Sequence, residues 1–152
     1  MSTYKTLRIT NMQGFLQNIW EAITEQKLQA VMLDEGIITA SNRRYATCSY
    51  RIPDHPGCGC AIGVNIPDDI YNERMEGRTV FSLTNNTLVR SLNLPVYISI
   101  HDAEMAQDID SIQRLHDTWV YGKKGAKENF IGHLRTLSLK YGGIEIPSEY
   151  RE

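Results

Sequence analysis

The sequence predicts a mainly helical α+β domain, with three longer helices packed around an irregular middle that carries a small β-hairpin. Three observations point there. Apolar residues recur at helical spacing near the start of the chain and twice near its end. A short β-branched run, Val96 to Ile100, reads as a strand. Glycines, prolines and all three cysteines crowd between Cys48 and Gly77. At 152 residues the chain is long enough to bury a core without disulfides or metal, and one domain over 1–152 is expected.

Leu7-Arg-Ile9 alternates and suits a brief strand or a lead-in. Thr10 followed by Gln13 has capping-box spacing and opens a helix of about 11–26, with Phe15, Leu16, Ile19, Trp20 and Ile23 as its apolar stripe. Leu28 to Leu33 either continues that helix or breaks from it before Gly36. Ala46 to Ile52 then forms one strand of the expected hairpin, turned by Pro53-Asp-His-Pro-Gly57. Cys60 to Val64 is read as one helical turn and Asp68 to Arg74 as another short helix closed by Gly77. Asn85 or Asn86 caps a turn of helix through Leu92. Asp102 caps a helix of about 103–121 that aligns Met105, Ile109, Ile112, His116 and Trp119 on one face. A last helix of about 127–141 carries Phe130, Ile131, Leu134 and Leu137, with Gly142 at its C-terminus.

Sixteen basic and eighteen acidic residues give a net charge of −2, so bulk attraction to nucleic acid or acidic membranes is not expected. No apolar run approaches the roughly 20 residues of a membrane span. Met1-Ser-Thr-Tyr-Lys5 lacks the apolar core of a signal peptide, and an odd count of three cysteines suits a reducing compartment, so a cytoplasmic location is expected.

The central pattern resembles a family of small, largely uncharacterised proteins of tailed bacteriophages and prophages. It is carried by Cys48-Ser-Tyr50-Arg51, Cys60-Ala-Ile-Gly63, Ile66-Pro-Asp68, Tyr71, Met75-Glu-Gly77 and His116-Asp117, across about residues 45–120. At the turn this chain has Asp54-His-Pro-Gly-Cys58 in place of a glycine-rich segment. The resemblance implies a phage origin and brings no reaction with it.

Three chemistries compete for these residues. Cys48, Cys58, Cys60 and His55 supply a zinc-ligand set, but Cys58-x-Cys60 is tighter than the spacing at which two thiolates reach one tetrahedral ion, and no metal or other cofactor is expected. Cys60 as nucleophile with His116 as base would make a cysteine hydrolase or deamidase. Asp117 would not orient that base, because adjacent helical residues point about 100° apart. The ordinary alternative places Cys60 in the core and His116 on the apolar face, bonded to a loop carbonyl. The third chemistry is binding: Arg43, Arg44, Tyr45, Tyr50 and Arg51, with Asp68, Tyr71 and Glu76, offer guanidinium forks and stacking faces to an anionic or nucleotide-like ligand. No P-loop, dinucleotide, zincin or nucleophile-elbow motif is present. The expectation is therefore an accessory protein that binds a host factor, defence proteins included, or a nucleotide-like ligand.

Overall fold

Residues 4–36 and 49–151 are described by the computed structural model. Strand β1 (Lys5–Ile9) pairs in parallel with β2 (Val96–Ile100), with Leu7 opposite Ile98 and Ile9 opposite Ile100. Leu7, Ile9, Val96 and Ile98 are buried, as period-2 alternation requires when one face meets a core. A parallel pair needs a long crossover. Here the crossover is the entire chain between the two strands.

Helix α1 (Met12–Thr24) is capped by Asn11, whose side chain accepts the Gly14 N–H at 3.0 Å. The expected Thr10–Gln13 box is not formed; Asn is the stronger N-cap, and the Gln13 amide instead donates to the Tyr141 carbonyl at 3.2 Å. Phe15, Leu16, Ile19, Trp20 and Ile23 are buried. Gln26, at φ 57°, separates α1 from α2 (Gln29–Asp34), so the second segment breaks from the first.

The expected hairpin is not formed among the described residues. Ile52 makes an isolated bridge to His55, and Gly59 pairs with Leu28. The turn at 53–57 exists, closed by Ile52 N–H to the Cys58 carbonyl at 3.1 Å, but the backbone before it has other partners. The N–H groups of Tyr50 and Arg51 are taken by the Glu76 carboxylate, which removes the ladder a strand would need. Cys60 to Val64 and Asp68 to Arg74 are likewise tighter than expected. They resolve into 3-10 turns at Gly63–Asn65 and Glu73–Met75, the second capped by Asn72.

Two short helices follow, α3 (Val80–Leu83) capped by Thr79 and α4 (Asn86–Ser91) capped by Asn85. Helices α5 (Ala103–Val120) and α6 (Ala126–Tyr141) form an antiparallel pair. Lys140 reaches Asp108 at 2.9 Å and Glu104 at 3.0 Å at one end, while Trp119 packs on Phe130 with centroids 5.4 Å apart at the other. Trp20 ties α1 to this pair by donating to Ser138 Oγ at 2.9 Å. The result is mainly helical α+β, with three long helices and a two-stranded parallel sheet. No helix among the described residues is long and apolar enough to cross a membrane.

Candidate ligand-binding groove

Residues 49–77 form a knot in which the chain passes close to itself. The Glu76 carboxylate accepts Tyr50 N–H and Arg51 N–H, both at 3.0 Å, and the Tyr71 hydroxyl at 2.8 Å. The Arg51 guanidinium donates to the carbonyls of Gly63 at 2.7 Å and Ile66 at 2.5 Å, and pairs with Asp68 at 3.0 Å. Its Cζ lies over the Tyr71 ring, 4.7 Å from the centroid. Burial, and then the hydrogen bond and charge of Glu76, push the Tyr71 phenol well above its usual range. Buried Tyr50 donates its hydroxyl to the Arg78 carbonyl at 2.5 Å. Tyr50, Arg51, Asp68, Tyr71 and Glu76 are thus brought together, with most of their polar capacity turned onto the protein itself. Arg43, Arg44, Tyr45 and Cys48 lie outside the described residues.

The glycines of this stretch allow the close passage. A Cβ on Gly59 or Gly63 would run into the Tyr50 carbonyl, coming within 2.9 Å and 2.8 Å of its carbon, far inside van der Waals contact. Between them sits Cys60, fully buried, its sulfur accepting the Gly63 N–H at 3.3 Å.

His116 is also fully buried, on α5 against Trp119 and Phe130, with centroid distances of 6.3 and 5.6 Å. Among the described residues neither ring nitrogen has a hydrogen-bond partner, so the imidazole is bonded neither to the Cys60 thiol nor to the loop carbonyl expected from sequence. Burial holds its pKa down at about 3. Both groups therefore lack a route to a substrate in this conformation. Cys58 is buried as well, which raises its thiol pKa against a smaller opposing effect of Lys27. Among the described residues no group of three or more His, Cys, Asp or Glu is placed to hold a metal ion.

What the knot does build is one wall of a groove. After Gly77 (φ 81°) the chain runs through Arg78, Thr79, Val80 and Phe81, opposite the α5 residues Asp110, Gln113, Arg114 and Asp117 and the following Tyr121. The cavity between them is about 450 Å³, within the range of small-ligand clefts. Phe81 and Tyr121 are 75% and 70% exposed although both are large aromatic side chains. Arg114 pairs with Asp110 at 3.1 Å, and Asp117 accepts the Gln113 amide at 2.7 Å. Sequence reasoning missed Arg78, Phe81 and Tyr121. The signal available was weak: two aromatics off the helical stripes, at Phe81 and beside Gly122.

Compared with protein-family models, with curated proteins and with solved structures, the chain matches none.

Proposed function

We propose that this protein works by binding, and that the groove between residues 76–81 and α5 is its working surface. In this reading it is a phage-encoded accessory protein of the host cytoplasm that captures a host component, defence factors included. The observation that carries the reading is a small-ligand-sized cavity lined by two exposed aromatic rings, Phe81 on the wall the knot builds and Tyr121 on the facing side. The groove adjoins the surface expected from sequence, since Ser49, Glu76 and Gly77 line it. The complete burial of Cys60 and His116 favours binding over cysteine chemistry.

The test compares what wild-type protein and Phe81→Asp/Tyr121→Asp retain from a bacterial lysate, with proteins and small molecules identified by mass spectrometry. Leu139→Asp is the control, because Leu139 is 72% exposed on α6 and does not line the groove. Loss of a retained component in the groove variant, with retention by the control, is the expected result. Equal retention by all three removes the groove from the function.

A further inference from the structure

We propose that the groove is a nucleoside monophosphate site, with the base on Phe81 and Tyr121 and the phosphate on Arg78; this rests on the binding reading above. Phe81 and Tyr121 both line the cavity and are exposed; flat aromatic rings suit a flat aromatic ligand, and stacking is tolerant of base identity because every base has a π-face. The cavity of about 450 Å³ is of a size to take one nucleotide.

Arg78 supplies the anion contact. Its side chain is exposed and its guanidinium makes no hydrogen bond or ion pair among the described residues, whereas its backbone is held at both ends. The carbonyl takes the Tyr50 hydroxyl at 2.5 Å, and the N–H donates to Met75 at 3.0 Å. The backbone fixes where the side chain starts, and its guanidinium fork suits a phosphate. The other charged residues of the lining have partners: Glu76 accepts three hydrogen bonds, Arg114 pairs with Asp110, and Asp117 accepts the Gln113 amide.

Charge also sets the number of phosphates. One guanidinium without a partner among the described residues offers one fork of donors, enough for one phosphate. Among the described residues Glu76, Asp110 and Asp117 line the cavity against Arg78 and Arg114, so each further phosphate adds negative charge beside a lining with more carboxylates than guanidiniums, and like charge costs affinity. The site therefore prefers a monophosphate over a triphosphate.

Calorimetry of the full chain with AMP, GMP, ATP, adenosine and ribose 5-phosphate tests this. AMP and GMP should bind, and adenosine, ribose 5-phosphate and ATP should each bind about tenfold or more weakly. Arg78→Gln should bring AMP down to the affinity of adenosine. Phe81→Ala should weaken AMP and adenosine together by about tenfold, with the circular dichroism spectrum unchanged. The assignment is overturned if no nucleotide titrates, if ATP binds as well as AMP, or if Arg78→Gln leaves AMP affinity intact. Groove-dependent capture from lysate without nucleotide binding would overturn the ligand and leave the binding reading standing. Failure of both would remove the site.

Discussion

His116 should make the protein acid-sensitive in a window set by its burial. The imidazole is fully buried without a hydrogen-bond partner among the described residues, and its pKa falls to about 3 from an ordinary 6.5. The folded state therefore holds a neutral ring at pH values where the unfolded chain binds a proton. Stability is complete above the unfolded pKa and is lost as pH falls from there toward the folded one. With these two pKa values the loss relative to pH 7 is about 1 kcal/mol at pH 5.5 and about 2–3 kcal/mol at pH 4.5. The larger figure corresponds to a midpoint about 5–10 °C lower for a chain of this size.

Carboxylates titrating below about pH 5 add their own slope, so His116→Leu is the reference. That variant removes the proton and an unsatisfied buried group, at some cost in shape, and at pH 7 should fall within about 1 kcal/mol of wild type. Urea unfolding of both proteins at pH 7, 5.5 and 4.5 gives the difference directly. Wild type should lose stability relative to the variant by the amounts above. Parallel pH curves would refute the reasoning, as would a loss of more than about 3 kcal/mol in His116→Leu at pH 7, which would mean the ring is held by a polar contact.

The other expectations concern the knot. Gly63→Ala should destabilise by more than about 4 kcal/mol or prevent folding, read by urea denaturation, because its Cβ meets the Tyr50 carbonyl rather than a movable side chain. Glu76→Gln should cost about 2–3 kcal/mol, since an amide NH₂ must then face donors at one of the two carboxylate oxygens. Cys60 should resist alkylation in the native protein and react on unfolding, as mapped by peptide mass spectrometry; rapid stoichiometric labelling near neutral pH would restore a cysteine mechanism.

Long helices were legible because their apolar stripes are local signals. Asp102 capping and the faces of α1, α5 and α6 follow from residues a few positions apart. The sheet was half legible. The runs around Leu7 and Val96 look like strands, but nothing near either names the other as its partner across the long crossover. The hairpin failed for a related reason: 53–57 has turn residues and does turn, yet Tyr50 and Arg51 give their N–H groups to Glu76, far along the chain. At the site, the sequence identified Arg51, Asp68, Tyr71 and Glu76 as a polar cluster and suggested an outward role. Three-dimensional placement turns most of that polarity onto the protein. Arg78, Phe81 and Tyr121 escaped notice because single exposed residues off a stripe look ordinary until the fold places them around one cavity.

The density of special residues between Tyr50 and Gly77 is thus a property of the scaffold. Each has a task there: Gly59 and Gly63 clear space for the Tyr50 backbone, Arg51 binds carbonyls, and Glu76 collects N–H groups. Changing any of them strains or orphans buried polar groups, so such substitutions reach function through folding. Arg78, Phe81 and Tyr121 carry no such load in their side chains, since all three are exposed. Tyr50 nonetheless fixes the backbone that presents Arg78, through the hydrogen bond to its carbonyl. If the groove binds as proposed, ligand preference should be alterable there while the knot stays intact, whereas loss of the Tyr50 hydroxyl should loosen the groove wall without removing a single contact to ligand. Tyr50→Phe separates the two roles. It should weaken binding with a modest stability cost of about 1 kcal/mol, and unchanged affinity would mean that Arg78 does not depend on the knot for its placement.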